Sequence, residues 1–220
     1  MRLVDEKVGG FWREIGAGAG AACAGVCVVR FEGADTRELA LDCLATLAGV
    51  DRQSMLFGVG PHGKPFLTGS PWRFNFSHSH GVRLLALARA VEVGVDVERV
   101  RPLRRRAALL QRCFTTSEQQ RLADAPDREL LRHWAAKEAL VKAIGRGIAY
   151  GLRNIEIARS ADGTLSIGRC EGVGGPAGRW QLQELPPIDD AVAMLVQPRP
   201  ALPVECRFCR LATTAPVFTS

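Results

Sequence analysis

Three acids in this 220-residue chain could do chemistry together. In VEVGVDVE, residues 91–98, Val91, Val93, Val95 and Val97 point one way along a strand, and Glu92, Gly94, Asp96 and Glu98 the other. The third acid, Glu138, lies in ELLRHWAAKEALVKAIG, where the spacing puts Leu131, Trp134, Glu138 and Val141 on one core-facing helical stripe. A carboxylate inside an apolar stripe is costly to desolvate unless something positive meets it. Lys142, one helical turn on, offers Glu138 a surface ion pair, and a half-exposed strand would account for Asp96 and Glu98. A hard divalent cation accounts for all three. Mg2+ takes a few carboxylate oxygens, keeps waters, and commonly completes its shell with substrate phosphate. Two acids on one strand face lie about 7 Å apart along the chain, so they can share an ion with a helical third ligand. Lys142 is then left for a phosphate.

Other basic groups invite the same reading. GKPFL sets Lys64 after a glycine at the start of an apolar run. FNFSHS puts His78 in register with Phe74 and Phe76, with Asn75, Ser77 and Ser79 on the opposite face. A histidine in that register is ordinarily a satisfied core residue. Ser77 and His78 do not form a hydrolase pair, because neighbouring strand residues face opposite ways and no G-x-S-x-G elbow is present. There is no phosphate-binding G-x-x-x-x-G-K-[ST] loop either.

Positioning these groups requires a regular scaffold. CAGVCVVRF reads as a strand, followed by a helix over residues 36–48 that Gly49 stops. Short strands follow to residue 98. TTSE offers Thr115 and Glu118 as a capping box, Pro126 suits the first turn of the next helix, and Gly145 to Gly147 end it. Strands come next at LRNIEIA, TLSIG, RWQLQEL and AVAMLVQ, and from Pro198 onward little periodicity is visible. Helical sequence thus precedes antiparallel-looking strands in both halves. This predicts a duplicated α+β architecture divided as 1–100 and 101–220.

Composition narrows the partners. Hydrophobic residues make up 47% of the chain, yet no apolar run is long enough to span a bilayer and the first residues carry acids where an export signal needs apolar ones, so a cytoplasmic protein without a membrane partner is expected. Seven cysteines lack framework spacing, and Cys206 with Cys209 is a lone CxxC to which no metal role is given. The net charge of +6 favours anionic partners. Its densest source is Arg99, Arg101, Arg104, Arg105 and Arg106, either a solvated face or a docking patch for phosphate or an acidic protein. Nucleic acid is not expected: aromatics are only 6% of the chain, and no recognisable nucleic-acid motif occurs.

GKPFL, FNFSHSHG, GVDVERVRP and HWAAKEALVKAIGRG, in this order and at these separations, resemble the 4'-phosphopantetheinyl transferase family in its longer, pseudo-duplicated monomeric type. The resemblance runs from about Gly63 to Gly147. It implies two similar α+β subdomains related by a pseudo-twofold axis, with coenzyme A in the cleft between them. It further implies transfer of phosphopantetheine to a serine hydroxyl of an apo acyl or peptidyl carrier protein. By the motif match, Asp96, Glu98 and Glu138 are Mg2+ ligands, Lys64, Ser77, His78, Lys137 and Lys142 contact phosphate, and Glu138 and Lys142 are catalytic. Relatives usually carry two spaced basic residues in or before the first helix for the 3'-phosphate, whereas this chain has Arg37 and then Asp42. Arg37 is accordingly assigned alone, with the arginine cluster as a substitute. A metal-dependent phosphohydrolase built on the same acids, using water as acceptor, is the competing enzyme reading.

Overall fold

The structure is a computed structural model and describes residues 13–14, 25–32, 36–147 and 151–210. In chain order its strands and helices are β1 (Arg13–Glu14), β2 (Val26–Glu32), α1 (Thr36–Ala48), β3 (Phe57–Val59), β4 (Pro65–Leu67), β5 (Trp72–Ser79), β6 (Val82–Arg89) and β7 (Gly94–Arg99), then α2 (Arg106–Cys113), α3 (Thr116–Leu122), α4 (Asp127–Ile144), β8 (Ile155–Arg159), β9 (Leu165–Cys170), β10 (Trp180–Glu184), β11 (Ala191–Pro198) and β12 (Val204–Arg210). The fold is α+β. Among the described residues the strands form a five-stranded sheet ordered β1-β12-β2-β6-β5, a three-stranded sheet ordered β10-β11-β7, and the hairpins β3-β4 and β8-β9. No described helix is long and apolar enough to cross a membrane.

Apolar faces set the layering. Cys27, Val29, Phe31, Leu85 and Leu87 pack one face of the larger sheet against Ala40, Cys43, Leu44 and Leu47 of α1. Its other face, through Val28, Leu84 and Ala86, meets Val95, Val97, Ala193 and Leu195 of the smaller sheet. The far side of the smaller sheet is covered by α4, with Val192, Met194 and Val196 against Leu131, Ala135, Ala139 and Leu140. Two sheets thus lie face to face between two helices.

The halves also exchange strands. β7 pairs antiparallel with β11, joining Asp96 to Met194 and Glu98 to Val192 in register. β12 runs parallel to β2, with Val204 opposite Val26. The tail after Pro198 therefore does contain a strand, contrary to the sequence reading. Its period of two is present in VECRFCR, where Cys206 and Phe208 face the core while Glu205 and Arg207 pair at 3.0 Å, but a cysteine holds one of the core positions and weakens the signal.

Helix boundaries follow the sequence closely. α1 spans Thr36–Ala48, and Gly49 has φ +65°, the left-handed conformation that ends helices. Thr115 and Glu118 form the expected capping box. Gly145 closes α4 in the left-handed conformation, its N–H donating to the Val141 carbonyl. Arg106 leaves the exposed arginine cluster to bond Asp127 and the carbonyls of Leu122 and Ala125, each at 2.6 Å, tying α2 to the end of α3 and the start of α4.

Two contacts fix α4. Gly94 lets the helix backbone lie directly on β7: a methyl there would sit 2.0 Å from the Ala139 carbonyl oxygen and 2.4 Å from the Ala143 nitrogen. On another side of the helix, Lys137 is completely buried. Its ammonium donates to Glu118 at 2.6 Å and to the carbonyls of Cys113, Leu152 and Ile155 at 3.0, 3.1 and 2.8 Å, over the face of the Phe114 ring. Glu118 also accepts the backbone N–H groups of Thr115 and Ile157, so one ion pair joins α3, α4 and β8.

Replacing Lys137 by Met strands the Glu118 carboxylate in the interior and should lower unfolding stability by about 3–5 kcal/mol, read from urea denaturation; a change within experimental error would show that the pair does not anchor the helix. Gly94→Ala should lower stability by about 1–3 kcal/mol through overpacking, and an unchanged melting temperature would contradict the close approach described here.

Candidate active site

β7 pairs with β11 along one edge and would leave the N–H groups of its other edge bare inside the protein. The polar face of β5 meets them. Asn75 Oδ1 accepts from Val95 N at 2.9 Å, Ser77 Oγ from Val97 N at 3.2 Å, and Ser79 Oγ from Arg99 N at 3.1 Å. The period of two on both strands brings each side chain opposite one amide. The two serines then turn to the acids: Ser77 donates to Asp96 Oδ1 at 2.8 Å and Ser79 to Glu98 Oε2 at 3.3 Å.

From the opposite side, α4 brings Trp134, Glu138 and Lys142, spaced by one helical turn each. Trp134 Nε1 donates to Glu98 Oε1 at 3.0 Å. Lys142 Nζ lies 2.5 Å from Asp96 Oδ1, 3.1 Å from Ser77 Oγ and 3.3 Å from the Val95 carbonyl. Asp96 and Glu138 are both buried. Asp96 Oδ2 and Glu138 Oε1 have no hydrogen-bond partner.

Electrostatics follow from this crowding. Burial raises the Asp96 carboxyl to about 6, aided by repulsion from Glu98 and opposed by Lys142 and Ser77. Burial raises Glu138 to about 7, with repulsion from Asp96 and Glu98 outweighing what Lys142 offsets. Among the described residues, no three Asp, Glu, His or Cys side chains are already gathered as a metal cage. The donor set nonetheless fits a hard divalent cation. Its ligands are oxygen alone, two buried carboxylate oxygens lack partners, and a positive charge would relieve the mutual repulsion of the acids.

The structure thus brings together Asp96, Glu98, Glu138, Lys142 and Ser77, five of the residues singled out from sequence. Lys64 stands beside them, its ammonium 2.6 Å from Glu92 and 3.1 Å from the Val93 carbonyl. Lys137 does not belong to this group. The phosphate role implied for it gives way to the buried anchor described above, because its ammonium is enclosed by four oxygen acceptors. His78 is exposed while Asn75, Ser77 and Ser79 are buried, the reverse of what the aromatic register suggested, because β5 turns its polar face to β7. The side chain of Arg37 lies outside the described residues. Asp42 and Glu38 of α1 turn to Arg52, at 3.5 and 3.1 Å.

Trp134 and Ser79 were not singled out for this role, although their spacing carried the signal: Trp134 precedes Glu138 by one turn, and Ser79 shares a strand face with Ser77.

The chain is similar to several known proteins. Residues 92–195 match the model of the 4'-phosphopantetheinyl transferase superfamily. Curated relatives include 4'-phosphopantetheinyl transferase HetI of Nostoc, 35% identical over 66% of this chain and 61% of that protein. A putative 4'-phosphopantetheinyl transferase of Synechocystis is 32% identical over 68% and 59%, and a 4'-phosphopantetheinyl transferase of Bacillus subtilis 30% identical over 56% of each. The chain spans about three-fifths of the length of the first two relatives it matches. The matched stretch, just under half of the chain, holds Asp96, Glu98, Glu138 and Lys142, and through it the chain is similar to the 4'-phosphopantetheinyl transferase superfamily.

Proposed function

We propose that the protein transfers the 4'-phosphopantetheine of coenzyme A to a serine hydroxyl of an apo acyl or peptidyl carrier protein, releasing 3',5'-ADP. The observation that carries this reading is the pair of partnerless buried carboxylate oxygens, on Asp96 and Glu138, beside the Lys142 ammonium. Similarity to the 4'-phosphopantetheinyl transferase superfamily supports it. A single chain serves as the active unit, since one chain supplies every group. The halves 1–100 and 101–220 are read as its two subdomains, with β7 and β12 as exchanged strands.

Asp96, Glu98 and Glu138 would hold the divalent cation. When bound, Mg2+ supplies neutralisation of the coenzyme A diphosphate and polarisation of its phosphorus. The remaining work falls to the chain. Glu138, with one carboxylate oxygen free of hydrogen-bond partners, is suited to take the proton of the acceptor serine. The serine oxygen forms the new P–O bond as the bond to the bridging diphosphate oxygen breaks, and 3',5'-ADP leaves. Lys142, with a quarter of its side chain exposed, is placed to meet negative charge growing on that leaving group. Ser77 and Ser79 keep Asp96 and Glu98 aimed at the cleft. Lys64 and His78 are assigned to the phosphates by the motif match, and Arg37, outside the matched motifs, to the 3'-phosphate by its place in the first helix; His78, on an edge strand, reaches a substrate that wraps that edge.

Incubating the protein with coenzyme A, Mg2+ and a panel of apo carrier proteins, then weighing the products, should show one carrier gaining the mass of a phosphopantetheine. Asp96→Ala should reduce the rate by about a hundredfold or more. Release of phosphopantetheine without carrier modification would instead favour the hydrolase reading.

A second prediction concerns pH. Both acids have folded values above their ordinary 3.8 and 4.5, at about 6 and 7. Their protonated forms therefore favour the fold, an advantage present below about pH 4 and lost as pH rises through 6 and 7. In chelator the melting temperature should fall across this window, Glu138→Gln should flatten the fall, and millimolar Mg2+ should raise the melting temperature most above pH 7. Equal slopes with and without Glu138, or indifference to Mg2+, would contradict the metal assignment.

A further inference from the structure

Of the three acids at the site, Glu98 has both oxygens engaged: Trp134 Nε1 donates to Oε1 at 3.0 Å and Ser79 Oγ to Oε2 at 3.3 Å. Asp96 is engaged at one oxygen, Oδ1, by Ser77 and Lys142 at 2.8 and 2.5 Å, and its Oδ2 is open. Glu138 keeps Oε1 open. The difference follows from position. Glu98 lies near the end of β7 and is half-buried, with one methylene more than Asp96 and a terminal torsion that turns readily unless something holds it. The two donors, one on α4 and one on β5, fix the plane of its carboxylate.

Both donors are themselves held. The Trp134 ring packs against two apolar clusters, the α4–β11 core and the group formed by Leu110, Phe114, Leu122 and Leu130, so the indole cannot swing away from Glu98 without disturbing both. Ser79 is equally committed, since its Oγ accepts from Arg99 N at 3.1 Å. A cation chelated by one carboxylate must touch both oxygens, and each oxygen of Glu98 already holds a donor from a fixed element. One oxygen per acid is what this arrangement offers. That distinguishes cations: Mg2+ takes single oxygens in near-octahedral geometry and keeps several waters, whereas Ca2+ takes about six to eight oxygens and gathers them in part from bidentate carboxylates.

We propose that Trp134 is a positioning residue that limits Glu98 to a single metal contact and thereby makes the site select Mg2+ over Ca2+. The inference rests on the metal assignment of the transferase reading. Without the indole N–H, Oε1 is released, Glu98 turns, and both of its oxygens become available at once. The larger ion gains a contact that the smaller one has no use for, and the smaller one loses a ligand held in place.

The test is calorimetric titration of the full chain with Mg2+ alone and with Ca2+ alone. The wild type should prefer Mg2+. Trp134→Phe keeps an aromatic ring in the packing and removes only the N–H donor and part of the ring. It should weaken Mg2+ binding roughly tenfold, as loss of a hydrogen-bond partner behind a metal ligand does, and leave Ca2+ binding as tight or tighter, so the preference falls by at least about that factor. In a Glu98→Gln background the same substitution should leave the preference unchanged, an outcome that a merely structural role for the ring would not produce. Unchanged or equally weakened affinities in Trp134→Phe, or the same shift with and without Glu98, would overturn the proposal, as would a wild type that prefers Ca2+ or binds neither ion. Should the wild type bind Mg2+ but add mass to no apo carrier, the transferase reading falls, and the role of Trp134 is still decided by the two affinities.

Discussion

A strand cannot be buried with one row of amides unpaired, and β7 is buried between the larger sheet and α4 while pairing along only one edge. Everything at the candidate site follows from how that is resolved. Side chains of β5, rather than another backbone, complete the second edge. A hydroxyl that accepts an amide still has a proton to donate, and Ser77 and Ser79 give theirs to Asp96 and Glu98. The same contacts that satisfy the backbone therefore orient the acids. Stability of the sheet interface and geometry of the site are one set of hydrogen bonds.

α4 adds the second half of the arrangement with two polar stripes of different character. Lys137 points inward, fully enclosed, and secures the helix to α3 and β8. Trp134, Glu138 and Lys142 turn toward β7. Lys137 and Glu138 are neighbours in sequence with opposed duties: one charge fully compensated, the other left with an open oxygen. A buried carboxylate kept short of partners raises its own proton affinity, which suits it to a cation or a proton but would be a liability in a purely structural role.

Glu138 was legible in the sequence because it broke an apolar helical stripe; Asp96 and Glu98 fit an ordinary alternating strand and gained meaning only beside it. The α1 boundaries and the capping box at Thr115 were legible for the same local reasons. What stayed hidden depended on distant partners. Lys137 looks like any surface lysine until Glu118 and the carbonyls of three other segments are folded around it. The outward turn of His78 depends on β7 needing hydrogen-bond acceptors from the opposite face of β5, a demand absent from the strand's own sequence. β12 was obscured by Cys206, which holds a core position where an aliphatic residue would have marked the strand.

The placement of β12 between β1 and β2 has a kinetic side. Val204 must find Val26, so the larger sheet cannot finish until β12 has been synthesised, however early β2, β5 and β6 emerge. Until then β2 presents an unfilled edge, a template for misassociation with another nascent copy. Slow emergence of the last described segment, or a holdase covering that edge, would govern the yield of native protein more than the strength of any single contact within it.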